Sequence, residues 1–297
     1  MKGKDLISIA DLDSDDIQRL ISAATRLKRR RSTALQGKVL ALIFEKPSLR
    51  TKVSFDVAMK QLGGDAIYLS PAEVGLGQRE PIPDVARVLS RYVDGIVART
   101  FAHRSVELLA QYSSVPVING LSDEEHPCQA LSDLFTIQEK KGGLKGLKIA
   151  YIGDANNVAN SLLLACSLVG IDFRIASPEG YKPKDAVLAK AGGEIFYTQD
   201  PRQAVTNADV VYTDVWTSMG QEAEAERRRV AFAGYQVNRE LLALAKSDAI
   251  FMHPLPAHHG EEIGEGLLDL PQSVVFDQAE NRLHMQKAIL VELLGAS

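Results

Sequence analysis

The chain has 297 residues, near the upper size for a single hydrophobic core, so two domains are expected. Hydrophobic residues at 45% and charged residues at 24% exclude a disordered or collagen-like chain. Thirty-four Lys+Arg against 38 Asp+Glu leave a net charge of −4, which argues against a general nucleic-acid binder while allowing a local basic pocket.

Along the chain, Ser14 reads as an N-cap, followed by Ile17, Leu20, Ile21, Ala24 and Leu27 at helical spacing. KVLALIFE (38–45) is a compact β-rich run, and SLRTKVSFDVAMKQLGG (48–64) is a helix closed by Gly63-Gly64. DAIYLS (65–70) is a strand, PIPDVARVLSRYV (81–93) a helix, DGIVARTF (94–101) a strand, SVELLAQYS (105–113) a helix and PVING (116–120) a strand. HPCQALSDLFTIQEKKGG (126–143) is a helix ending in glycine, and the polar stretch EKKGGLKGLK (139–148) is the best domain boundary. The pattern then restarts: strand 148–154, helix 156–170, strands 172–178, 193–200, 209–215 and 249–256, and a final amphipathic helix, ENRLHMQKAILVELL (280–294). The fold class is α/β, with two domains that are each a parallel sheet flanked by helices. Cys128 and Cys166 cannot build a disulfide framework, no apolar run approaches the roughly 18 residues of a membrane helix, and MKGKDLISIADLD lacks a signal-peptide core. A soluble, cytoplasmic protein with no membrane partner is expected.

Ligands of such sheets sit beyond the carboxyl ends of the strands, so the loops near 46–51, 99–103, 121–129, 154–157, 214–220 and 253–259 are the places to look. FEKPSLRT (44–51) opens a helix with Ser48, Arg50 and Thr51, which suits a phosphate cradle or, alternatively, a plain serine cap. Arg99, His126 and Gln129 supply donors for a carbonyl oxygen, with a helix cap as the plainer reading; His126 and Gln129 share a helix face. GDANN (153–157) lacks the GxGxxG fingerprint, so a nucleotide is not expected; Asn157 is either a carboxylate ligand or a cap. Asp214 in DVWTSMG (214–220) pairs with an ammonium or caps a loop. HPLPAHHGEE (253–262) gathers three histidines and two glutamates, but the spacing matches no standard zinc pattern, so no catalytic metal and no cofactor are expected. A nicotinamide-dependent oxidoreductase, suggested only by βα alternation, is disfavoured by the missing glycine fingerprint.

Taken together and in order, FEKPSLRT, GLGQRE, ART, HPCQALSDL, GDANNVANS, DVWTSMGQE, HPLPA and AENR span nearly the whole chain. In them the sequence resembles the aspartate/ornithine carbamoyltransferase family, and within it the ornithine enzymes most. The resemblance implies a carbamoyl phosphate-binding domain at 1–140, an amino-acid-binding domain at 146–278, and a terminal helix, 280–297, returning to the first domain, so that two helices join the domains. It implies that Ser48, Leu49, Arg50 and Thr51 hold the phosphate, with Leu49 offering only its backbone N–H where ornithine enzymes usually have Thr. Arg99, His126 and Gln129 then contact the carbamoyl group, the Leu255 carbonyl holds its NH₂, and Arg282 lies by the phosphate or carbonyl. Thr51, Arg99 and His126 are the expected catalytic groups. Asn157 takes the ornithine α-carboxylate, and Asp214, Ser218 and Met219 take the α-ammonium. Homotrimers with sites at subunit interfaces are also implied, with the loop at Gly75 reaching a neighbour's site although Gly75 has no side chain to offer.

The implied reaction is attack of a neutral δ-amine on carbamoyl phosphate, giving citrulline and phosphate for arginine biosynthesis. A lysine-like amine has a pKa of about 10.4, so it must lose its proton in the site or bind already neutral, and kcat/KM for ornithine should rise between pH 6 and 8. Pro254 departs from the HCLP usual in ornithine enzymes and matches the HPLP of aspartate enzymes, yet Ala257 stands where the latter carry Arg. Aspartate, putrescine, lysine and an acylated ornithine are therefore alternative acceptors, and a non-catalytic metabolite-binding paralogue is the remaining alternative.

Overall fold

Strand β1 (Val39–Phe44) consists of Val, Leu, Ala, Ile and Phe, and every residue after Val39 is buried, as a strand covered on both faces requires. In the computed structural model, which describes residues 3–30, 32–192 and 195–295, β1 lies inside a four-stranded sheet. Its companions are β2 (Asp65–Leu69), β3 (Gly95–Arg99) and β4 (Val117–Leu121), in the order β2-β1-β3-β4, all parallel. Leu40 faces Ala66 on one side and Gly95 on the other. The chain thus leaves β1 toward one edge and then returns to the other side of it, and this reversal opens a crevice at the carboxyl ends of β1 and β3. Leu6 continues the sheet beyond β4: its N–H donates to the Val117 carbonyl (2.9 Å), and Asn119 N–H donates back to Leu6 (2.8 Å).

The second sheet holds β5 (Lys148–Ile152), β6 (Asp172–Ala176), β7 (Phe196–Thr198), β8 (Val210–Thr213) and β9 (Ile250–Met252), in the order β7-β6-β5-β8-β9 and again parallel. Its switch point lies between β5 and β8. Tyr151 and Tyr212, neighbours across these strands, stack at 5.5 Å between ring centroids. Trp216, Phe232, Tyr235 and Phe251 build an aromatic core on one face.

The chain divides into two units: residues up to Phe135 with those from Asn281 onward, and Thr136–Glu280. Both divisions fall inside helices, Pro127–Lys141 and Val275–Leu294, so the chain crosses twice in helical form. The first crossing comes a few residues before the Gly/Lys-rich stretch that composition marks. The terminal helix begins at Val275 rather than 280, because its first turn is needed in the second unit. There, buried Gln278 accepts from His253 N–H (2.9 Å) and donates to the Tyr212 hydroxyl (3.1 Å). The strands are shorter than the apolar runs suggested. β5 stops at Ile152 and β9 at Met252, where the polar loops take over. Of the strand expected at 193–200, Gly193 and Glu194 lie outside the described residues, and β7 is the described part.

Candidate active site

In the first unit, the turn after β1 ends at Ser48, whose extended backbone and Oγ cap the helix Leu49–Gln61; the Oγ accepts from Thr51 N–H at 3.3 Å. The serine cap is therefore present, at the helix N-terminus where a phosphate cradle is also expected. Thr51 is wholly buried, and its Oγ1 accepts from Arg282 Nη2 at 2.6 Å, leaving its own O–H to donate elsewhere. Arg99 is the last residue of β3, opposite Phe44, where the pairing with β4 shifts register. The neighbouring turns are tied: Glu45 N–H donates to the Arg99 carbonyl (2.8 Å), and Glu45 Oε2 accepts from Phe101 N–H (2.8 Å). His126 and Gln129 open the helix that follows β4, with Gln129 N–H donating to the His126 carbonyl at 3.0 Å. The Leu49 side chain points to solvent at 76% exposure, so only its backbone serves this cap.

The electrostatics of this cluster indicate an anion. Burial lowers Arg99, and Arg282 and Arg50 lower it further, to about 10. Burial, then Arg282 and Arg99, push His126 well below the usual imidazole value, so it is neutral at pH 7 with one N–H to donate. Arg50 is lowered by burial. Guanidiniums that repel one another in a partly desolvated cleft are stabilised by a dianion placed among them. Arg99 Nε and Gln129 Oε1 are buried without a hydrogen-bond partner among the described residues, and such atoms point to a ligand. Gln129 Nε2 donates to buried Asp133 (2.8 Å), which fixes the amide with Oε1 outward from that bond. Arg282 thus lies on Thr51 and near Arg99 and His126, with Arg50 near Arg99; Ser48 caps the helix that carries Arg50 and Thr51, and Gln129 is held on Asp133.

In the second unit the helix cap is Asn156, one residue before the expected Asn157. Asn156 Oδ1 accepts from Val158 and Ala159 N–H (3.0 and 3.1 Å), and its Nδ2 donates to Asp214 Oδ2 at 2.7 Å. Asn157 is the first helical residue beside it. The loops after β5 and β8 thus meet at the switch point. Burial raises the Asp214 carboxyl, a rise that His253, Asn156 and the Val215 N–H offset in part, and a cationic ligand would offset the rest. Ser218 and Met219 lie in the following turn, where Gln221 accepts from Ser218 N–H (3.2 Å) and Met219 is 47% exposed. His253 is fully buried; its Nδ1 accepts from Leu255 N–H (2.9 Å), so the proton sits on Nε2, which faces Glu262 Oε1 at 3.2 Å. These bonds hold Leu255 at φ +58, a left-handed conformation that non-glycine residues keep mainly at functional turns. Pro254 is buried in the same turn. Gly75 caps the short helix Pro71–Val74 at φ +50, where a Cβ would sit 3.0 Å from Arg79 Cβ, so its lack of a side chain is a backbone requirement.

Sequence reasoning missed three supports. Arg228, buried on the helix Ala225–Ala231, donates from Nη1 to Asp154 Oδ2 (2.7 Å) and to the Trp216 carbonyl (3.0 Å), clasping the loop after β8 to the loop after β5. Nothing in its Arg-Arg-Arg run marks the middle residue as the buried one. Buried Glu125, next to His126, accepts from Ser8 Oγ (2.5 Å) and Ile9 N–H (3.0 Å). Asp133, four residues after Gln129, was readable from helical spacing alone.

Residues 4–139 match the family described as aspartate/ornithine carbamoyltransferase, carbamoyl-P binding domain, and residues 145–293 match its Asp/Orn binding domain. The chain belongs to the aspartate/ornithine carbamoyltransferase family. Among similar proteins is an ornithine carbamoyltransferase of Anoxybacillus flavithermus, 55% identical over 99% of this chain and 98% of its own length. Another, from Pyrococcus horikoshii, is 53% identical over 99% of this chain and 97% of its own. Among solved structures, the ornithine carbamoyltransferase from Pyrococcus furiosus superposes with a TM-score of 0.96 at 52% identity, covering 100% of this chain and 98% of that one. The Thermus thermophilus enzyme superposes at 0.92 with 49% identity, covering 99% of each. The arginine cluster lies at the carboxyl ends of β1 and β3 in the carbamoyl-P binding domain match, and the Asn156–Asp214 pair lies at the switch point of the other sheet, in the Asp/Orn binding domain match.

Proposed function

We propose that this protein is an ornithine carbamoyltransferase that moves the carbamoyl group from carbamoyl phosphate to the δ-amine of L-ornithine, giving L-citrulline and phosphate in arginine biosynthesis. The observation that carries this reading is the convergence of Arg50, Arg99 and Arg282 on one another, with neutral His126 beside them. Ser48, the Leu49 N–H, Arg50 and Thr51 hold the phosphate. Arg99, Thr51 and His126 donate to the carbonyl oxygen as negative charge develops on it, and Gln129, the Leu255 carbonyl and Arg282 orient the carbamoyl group. The amine nitrogen bonds to the carbonyl carbon, the carbon–oxygen bond to phosphate breaks, and the departing phosphate takes the proton the amine gives up. Holding both substrates together removes the entropic cost of their encounter.

In the second unit, Asp214 with Ser218 and Met219 takes the α-ammonium and Asn157 the α-carboxylate. A buried carboxylate whose pKa is already raised favours a cationic amino acid over aspartate, and Ala257 provides no cation for a second carboxylate. The relatives named ornithine carbamoyltransferase at over 50% identity support the same acceptor. Cytoplasmic homotrimers with sites at subunit interfaces complete the proposal. A parallel assay of ornithine, aspartate, putrescine and lysine with carbamoyl phosphate tests it. Citrulline is expected from ornithine, with kcat/KM rising between pH 6 and 8. Faster carbamoylation of another amine would reassign the acceptor, and no product from any amine would leave only metabolite binding.

A further inference from the structure

The turn that follows β9 contains an arrangement that the transfer reaction does not use. Glu262 is wholly buried, and its two oxygens have different fates. Oε1 accepts from His258 N–H (2.5 Å) and faces His253 Nε2 (3.2 Å), which anchors the carboxylate from two sides. Oε2 is buried without a hydrogen-bond partner among the described residues and is aimed at the Nδ1 of half-exposed His258, 3.6 Å away. That gap is too long for a hydrogen bond, whose heavy atoms lie within about 3.2 Å. It is close to the separation of two ligands on one tetrahedral ion, about 3.4 Å for metal–ligand bonds of about 2.1 Å. A carboxylate oxygen of Glu261 completes a group whose ligand atoms all lie within 4.8 Å of one another. Arg229 pairs with Glu261 at 3.2 Å, but Arg229 is exposed and holds Glu226 at 2.7 Å, so it can release Glu261 without losing its ion pair.

We propose that His258, Glu261 and Glu262 form a binding site for a divalent transition-metal ion of the zinc or cobalt type. One imidazole nitrogen with two carboxylate oxygens suits these borderline ions better than Mg²⁺ or Ca²⁺, which favour all-oxygen shells. The buried oxygen supplies a fixed ligand, the two rim residues close over the ion, and water fills the open position. The ion is not a reactant. It braces the turn whose other end carries His253 and Leu255, and it does so whether or not the proposed transfer reaction is correct.

Titration of the full-length protein with Co²⁺ alone, followed by visible absorption, tests this. One equivalent per chain should bind and produce the d–d bands of a low-symmetry N/O site. His258→Ala and Glu261→Gln should each weaken binding by about tenfold or more, while His259→Ala, whose imidazole faces Glu265 at 3.7 Å instead, should leave it unchanged. Far-UV circular dichroism of each variant establishes that it is folded. Absence of stoichiometric binding, unchanged binding in His258→Ala, or an equal loss in His259→Ala would each overturn the assignment. Because the readout is binding, it stands or falls separately from citrulline formation.

Discussion

Arg99 shows how one residue combines strain and function. Its guanidinium is buried among like charges, an arrangement that costs stability in the free protein and becomes favourable when an oxyanion arrives. Arg99→Met should lower kcat by about 10²–10³-fold, a donor-loss magnitude, while the protein becomes no less stable to urea. His126 carries a different signature. Its folded pKa lies well below 6.5, so the unfolded chain takes up a proton that the native protein does not. The stabilisation is complete above 6.5 and is lost as pH falls below it, at no more than about 1.4 kcal/mol per pH unit. His126→Asn should therefore lose less stability than wild type between pH 7 and pH 5, as read by denaturant titration. The same depressed value means that any rise in kcat/KM from pH 6 to 8 reports the amine and not His126.

At the scale of elements, a buried clasp, Arg228 on Asp154 and the Trp216 carbonyl, holds the loop after β8 beside the Asn156–Asp214 bond. Arg228→Ala leaves the largely buried Asp154 carboxylate (12% exposed) without its cation, which should cost about 3 kcal/mol and loosen the turn bearing Ser218 and Met219. The expected outcome is a raised KM for ornithine with little change in carbamoyl phosphate affinity; equal loss of both would show a global effect. This clasp also marks where sequence reading stops. Strands such as β1, β3 and β5 were legible because a doubly covered parallel strand is an unbroken apolar run. The loops after them were legible because topology puts ligands there. Ser48, Arg50, Thr51, Arg99, His126 and Gln129 lie in or beside those loops, as the topology predicts for the candidate site. Arg228 does not, since burial of one arginine in a run of three depends on contacts across about seventy residues of chain. The substitution of Asn156 for Asn157 as the cap is a one-residue boundary shift, the least certain quantity in any helix read from pattern. The early start of the terminal helix was hidden because Phe276 is exposed and Gln278 is buried, the reverse of what hydropathy suggests.

For the whole molecule, the first unit is assembled from two distant parts of the chain. Met285, Ala288, Ile289 and Leu290 are wholly buried, and Leu294 sits so close to β3 that a Cβ on Gly95 would meet it at 3.0 Å. Arg282, one residue into the returning part, donates to Thr51. A chain stopped after Glu280 should lose both the packing of this unit and its anion site. Its loss of carbamoyl phosphate binding by calorimetry should coincide with loss of cooperative unfolding, because the two depend on the same helix.

The backbone N–H of Gly3 donates to the carbonyl of Leu293 at 3.4 Å, so the start and finish of the described chain run side by side. A short peptide could therefore join the last described residues to the first. With new ends opened at residues 135 and 281, the first unit becomes one uninterrupted polypeptide. Chain order is thus no obstacle to placing the two parts of the first unit end to end.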